Sequence, residues 1–216
     1  MSESGLEQKY VKEAFDTNWV VPMVPNVNAF EKDLEAFVNS KSDGREPLDR
    51  NVVCLSAGTA AVHLALIGCG VKAGDEVLVQ SFTFCASSHP ITYLGAPPVF
   101  VGSENETWNM DPVLLEKAII DRKEKTGRYP KAIVPVALYG MPYQIDKIMA
   151  IADKYGISVV EDAAEGMGSR FNGQVLGTFC KYGVLSFNGN KMITTSGGAL
   201  ICRNAEDANE IMWYAT

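Results

Sequence analysis

An α/β fold, a mostly parallel sheet flanked by helices, is predicted by three features of this 216-residue sequence. Short apolar runs alternate with helical patterns through most of the chain, the order that βαβ units produce. The runs are continuously apolar rather than alternating, as in strands buried on both faces. The polar and glycine-rich segments fall where these runs end, and in open parallel sheets ligands bind beyond the carboxyl ends of the strands.

The chain opens with a helix from about Leu6 to Phe15, a loop through TNWVVPMVPNV and a second amphipathic helix from about Ala29 to Asn39. Residues 1–45 thus read as a helical arm and 46–216 as one large domain. After the polar KSDGREPLDRN come the strand VVCL and the helix TAAVHLALIG, then DEVLVQ and a helix from about Phe84 to Leu94. PPVFV follows, with a helix capped at Asp111-Pro112, then KAIVPVALY, a helix from about Ile145 to Tyr155, and the strand ISVVED. The final segment NAEDANEIMWYAT begins as a helix and stops without a glycine cap, a basic last turn or proline. It reads as cut rather than finished, the alternative being a natural end that frays.

A formal charge of −7 with no dense basic run argues against nucleic acid or an anionic membrane as partner. The first twenty residues are too polar for a signal peptide, and no later apolar stretch approaches the ~20 residues that span a bilayer. Cys54, Cys69, Cys85, Cys180 and Cys202 are scattered, mostly in apolar runs, as expected of reduced, buried thiols in a cytoplasmic protein.

Four strand ends carry candidate chemistry. In LSAGTAAVHLAL a strand breaks at Ser56-Ala57-Gly58 and a helix begins near Thr59, so outward N–H groups and small residues form a plausible phosphate cradle; taken alone, the stretch favours an ordinary strand-to-helix turn with Thr59 as N-cap. In QSFTFCASSHP, Phe82 and Phe84 sit at the sheet edge, and Phe84 is the better platform for a planar ligand, unless both are core. In ISVVEDAAEGMGS, Glu161 and Asp162 point to opposite faces, so only one faces the crevice, with Glu165 along the same edge. In SFNGNKMITTSGG, Lys191 is framed by Asn and Gly, as a nucleophilic lysine held by short, stiff backbone would be. Pyridoxal phosphate needs an amine, an acid, an aromatic neighbour and an anion site, and these four places supply them together.

The order GTAAVHLAL, SFTF with YLGAPPVFV, LYG, EDAAEGMGS and SFNGNKMITTSGGAL resembles the DegT/DnrJ/EryC1/StrS family of PLP-dependent sugar aminotransferases, from the N-terminal helix nearly to the end. EQKYVKEAFDTNWVVPMVPNV resembles the family's opening, with Val24 where a glycine is frequent. The resemblance implies an aspartate-aminotransferase-like, fold type I large domain, with 46–216 binding PLP and the small C-terminal domain missing. By it, Lys191 is similar to the lysine of the internal aldimine and Asp162 to the acid at the pyridine nitrogen. Glu165 matches a position near the ring, Phe84 the stacking residue, and Gly58, Thr59, Ala60 and Ser186 the phosphate site. A lysine rather than a histidine at 191 points to transamination. The implied reaction is ping-pong, from an amino donor such as glutamate to a nucleotide-linked keto-sugar, in deoxy-amino-sugar or cell-surface polysaccharide biosynthesis. The implied assembly is a homodimer with a shared site.

Rival readings have less support. A truncated remnant would keep the fold without turnover. GCGVKAG lacks GxGxxG spacing and follows a helix, which reads as a C-cap and turn rather than a dinucleotide site. His63 and His89 have no metal-ligand spacing and read as helix packing and as a capping or core residue, and no GxSxG supports serine hydrolysis.

Overall fold

The predicted alternation becomes a seven-stranded sheet in the computed structural model of the chain, which describes residues 4–21, 24–41, 44 and 46–216. Two helices lead, α1 (Leu6–Asp16) and α2 (Pro25–Asn39). Then come β1 (Asn51–Leu55), α3 (Gly58–Gly68), β2 (Val77–Gln80), α4 (His89–Tyr93), β3 (Pro98–Val101), α5 (Pro112–Thr126) and β4 (Ala132–Val134). The chain continues through α6 (Ile145–Tyr155), β5 (Ser158–Asp162), the short hairpin of β6 (Arg170–Phe171) and β7 (Gln174–Val175), β8 (Tyr182–Ser186), β9 (Gly198–Cys202) and α7 (Ala205–Ala215). Across the sheet the order is β1-β9-β8-β5-β4-β2-β3. Neighbours are parallel except at β9, which runs against both β1 and β8.

Apolar residues on both sheet faces give two cores. Against α2, α5 and α6 lie Leu34, Leu115, Ile148, Ile133 and Leu185. Against α3, α4 and α7 lie Leu66, Ile91, Ile211, Val134 and Val184. The helix α1 buries no residue. No described helix is long and apolar enough to cross a membrane.

Several elements depart from the expectations. The expected helix from Phe84 to Leu94 is broken into a 3-10 turn, Cys85–Ser87, and the short α4. Pro90 has no N–H to give a preceding turn, so a helix restarts with it in its first turn. Proline also sets the start of α2, at Pro25 rather than near Ala29. The run KAIVPVALY leaves the sheet after Val134 and tightens into a 3-10 turn, Leu138–Gly140. His89 and Cys85 are exposed, against the expectation of a capping or core histidine and buried thiols. Strand β9 and the β6–β7 hairpin were not anticipated. Pro22 and Met23 of the first loop, and Ser42, Asp43 and Arg45 at the expected domain boundary, lie outside the described residues.

Two local arrangements fix the frame around the sheet centre and edge. Strand β1 is an edge, and its outward N–H groups are met by α2: Glu35 Oε1 accepts from Val52 at 3.0 Å and Glu31 Oε1 from Cys54 at 2.8 Å. The match follows from geometry, since four helical residues rise ~6 Å and two strand residues span ~6.6 Å. At the centre, a side chain on Gly183 would stand 1.8 Å from the Gly177 carbonyl oxygen, so the loop into β8 packs directly on the strand. There Arg50 Nη2 donates to the Thr178 carbonyl at 2.6 Å, and the Phe179 N–H of the same peptide donates to Glu161 Oε2 at 3.2 Å.

Candidate active site

At the carboxyl ends of the central strands opens a crevice of about 500 Å³. Strand periodicity decides which acid it receives. Asp162 pairs in register with Val184, two residues before Ser186, and bridges to Val136; all four line the crevice. Glu161 pairs with Gly183 and points to the other face. Lys191 lies in the turn beyond β8 and reaches back, its side chain 13% exposed, so lysine and aspartate share one cavity.

Asp162 is 4% exposed. Ser87 Oγ donates to its Oδ2 at 2.6 Å and the Ala164 N–H to its Oδ1 at 3.2 Å. Burial pushes its carboxyl above the ordinary aspartate range, against the pull of these two donors and of the Lys191 charge. An acid held this way in a cavity favours a cationic ligand group, which would relieve the cost of burying its charge. Lys191 Nζ itself donates to Glu165 Oε1 at 3.1 Å, and Glu165 Oε2 accepts the Tyr139 N–H at 2.8 Å.

At the far end of the crevice, α3 starts without a side-chain cap. Its N-cap is Ala57, and the first helical bond runs from the Ala61 N–H to the Ala57 carbonyl at 3.1 Å, leaving earlier N–H groups without a partner inside the helix. Thr59 therefore is not the N-cap but lies within the first turn. Gly58 has no room for a side chain: a Cβ would meet that of Ser186 at 2.9 Å. The absent side chain brings the helix start and the Ser186 hydroxyl together, an arrangement suited to an anion.

Of the predicted site residues, Lys191, Asp162, Glu165, Phe84, Gly58, Thr59 and Ser186 all line the crevice. Ala60 does not; it lines a separate groove with Glu31, Cys54 and His63. Phe84 is a 73% exposed rim residue, whereas Phe82 meets Trp108 edge to face. Sequence reasoning missed Ser87 and the buried pair Gln80 and Asn109. Gln80 Oε1 accepts from the Met110 and Val136 N–H groups, and Asn109 Oδ1 from Leu138, so the pair ties together the loops that carry Tyr139 and Val136. A glutamine closing an otherwise apolar strand was the available signal, because a buried amide must find partners. Among the described residues no cluster of His, Cys, Asp and Glu could hold a metal ion.

A cofactor with an anionic group, a carbonyl and a basic ring nitrogen meets complementary chemistry here: helix start, lysine and buried acid. EpsN of Bacillus subtilis (strain 168), whose name provisionally makes it a pyridoxal phosphate-dependent aminotransferase, is 47% identical over 96% of this chain and 51% of its own. GDP-perosamine synthase of Caulobacter vibrioides is 37% identical over 94% of this chain and 50% of its own. Among solved structures, NtdA from Bacillus subtilis with bound cofactor PMP matches with a TM-score of 0.84 at 28% identity, over 99% of this chain and 45% of that one. The chain spans about half the length of the curated relatives it matches. The model of the DegT/DnrJ/EryC1/StrS aminotransferase family matches residues 2–215, and the chain belongs to that family.

Proposed function

We propose that this chain is the cofactor-binding portion of a pyridoxal phosphate-dependent aminotransferase acting on a nucleotide-linked keto-sugar, with 46–216 as the cofactor domain and 1–45 as an arm. The observation that carries the reading is the joint placement of Lys191, Asp162 and the uncapped start of α3 on one crevice. Relatives supply the substrate class: the name GDP-perosamine synthase specifies a nucleotide-linked amino sugar, whose precursor for amino transfer is a ketone. Glutamate as donor and a homodimer with a shared site complete the proposal. The free thiols fit a reducing compartment such as the cytoplasm.

Bound in the crevice, pyridoxal phosphate supplies an electron sink for the carbanion left when a donor loses its α-proton. The start of α3, with Ser186 and Thr59, would hold its phosphate, and Asp162 its ring nitrogen. Asp162 fixes a positive charge beside itself, because its own buried charge is stabilised by that partner. Lys191 Nζ would hold the carbonyl carbon and, once free, would carry a proton from one carbon to another. Phe84 covers the rim. The absent side chain at Gly58 lets Ser186 close on the helix start, so that its hydroxyl and the backbone N–H groups could meet one anion.

Incubation with pyridoxal phosphate followed by visible absorption and borohydride tests the assignment. The parent protein gives a visible band that borohydride fixes as a mass increment on the peptide containing Lys191; Lys191→Ala gives neither. An equal band in both proteins removes Lys191 from this role, and no band in the parent overturns the function.

A further inference from the structure

Two carboxylates line the crevice, and they are held differently. Both oxygens of Asp162 are occupied by neutral donors, the Ser87 hydroxyl and the Ala164 N–H. Glu165 is anchored through one oxygen alone. Its Oε2 takes the Tyr139 N–H at 2.8 Å, which leaves Oε1 for a cation, at present the Lys191 amine at 3.1 Å.

The anchor is stiff. Tyr139 sits in left-handed backbone at φ 52, and at the next residue, Gly140 (φ +81), a Cβ would meet the Glu165 carbonyl oxygen at 2.9 Å. The turn and the Glu165 backbone are therefore packed against each other, and the Tyr139 N–H of that turn holds the carboxylate beside it. The paired side chains are 13% and 28% exposed, so water screens them incompletely.

We propose that Glu165 is the fixed counter-charge for ammonium groups in this crevice. It holds Lys191 when that nitrogen is not otherwise engaged, and it receives the ammonium of the incoming amino donor when Lys191 Nζ is engaged. The proposal rests on the function proposed above and deepens it by locating where the donor's nitrogen docks. An exchange of amines at one carbon brings one cation in as another nitrogen takes up charge. The carbon's bond to Lys191 Nζ breaks as its bond to the donor nitrogen forms; the donor nitrogen gives up two protons and Lys191 Nζ takes up two, leaving as an ammonium, so Oε1 faces a positive nitrogen before and after and the net charge of the cavity is unchanged. A preorganised carboxylate does this without rearrangement.

Glu165→Gln keeps an oxygen for the Tyr139 N–H and removes the charge; Glu165→Asp keeps the charge and withdraws it. In protein free of cofactor, acetylation of Lys191 by N-hydroxysulfosuccinimide acetate, normalised to the exposed Lys72 and read by peptide mass, rises roughly fivefold in Glu165→Gln, with Glu165→Asp between. In protein saturated with pyridoxal phosphate, the stopped-flow rate at which glutamate displaces Lys191 falls about tenfold in Glu165→Gln. Equal acetylation with an unchanged displacement rate overturns the proposal. Should Glu165→Gln not fold, an aspartate variant matching the parent in both measurements also overturns it. If the parent takes up no pyridoxal phosphate, the proposed function and the donor half fall together, and the acetylation arm, which needs no cofactor, decides the lysine half.

Discussion

Glu161 and its neighbour Asp162 show how one position in a strand separates two fates for the same functional group. Glu161 is wholly buried, and one of its oxygens has no partner among the described residues. Burial pushes its carboxyl up to about 7, against the pull of the Gly177 and Phe179 N–H groups and the Arg50 charge. The folded chain thus keeps a proton that the unfolded chain releases above about 4.5. Stability from this residue is complete below that pH and is lost as pH rises toward 7, by roughly 3 kcal/mol at most. Glu161→Gln flattens this loss: in urea titrations at pH 5, 6, 7 and 8 its stability falls less steeply than the parent's. A parallel slope in both proteins would clear Glu161 as the cause. The two faces of this dipeptide could be read from strand alternation. Ser87 could not be read, since its bond to Asp162 joins residues 75 apart in sequence.

At the scale of elements, the contact of α2 with β1 shows a helix finishing a sheet. An edge strand presents unpaired N–H groups, which invite another strand. Glu31 and Glu35 occupy those of Cys54 and Val52 with side chains instead of backbone. Replacing both by alanine leaves two donors unmet and lowers stability by about 1–3 kcal/mol, with increased light scattering on warming. Glutamine at both positions preserves the acceptors and loses less in the same denaturation experiment. Element positions were legible where local rules dominate: the Asp111 cap on α5 and the bounds of α6 follow directly from the sequence. They were illegible where tertiary context overrides pattern. The apolar run after Val134 is a buried loop, its backbone satisfied by the side chains of Gln80 and Asn109 and by a single bridge to Asp162 rather than by a continued strand ladder. Strand β9 is masked by the glycines that open it and acquires its identity only from β1 and β8 on either side.

For the whole molecule, two cores share one sheet, and neither can be lost alone. Leu115→Ala on one face and Leu66→Ala on the other each remove a fully buried side chain and cost about 2–5 kcal/mol. The double variant loses nearly the sum, since the sites lie on opposite faces. Circular dichroism and tryptophan fluorescence still report one coincident transition in each variant; separated transitions would show that the faces unfold independently. The α/β class and the crevice's strand-end location were legible because continuous apolar runs force a two-sided sheet. Strand order was not, because it depends on which loops fold over which strands. The placement of Ala60 outside the crevice was equally hidden, as it depends on how α3 is rotated on the sheet.

The close approach of Gly177 to Gly183 bears on this choice of acid. Side chains along a strand alternate, so sliding β5 by one residue against its neighbour would turn glutamate toward the cavity and aspartate into the interior. The loop carbonyl rests on the one position of β8 without a side chain, opposite Glu161, and holds β8 in the register that this pairing needs. A methyl group at 183 would press on it from within. The glycine that lines nothing thereby helps choose which carboxylate faces solvent chemistry.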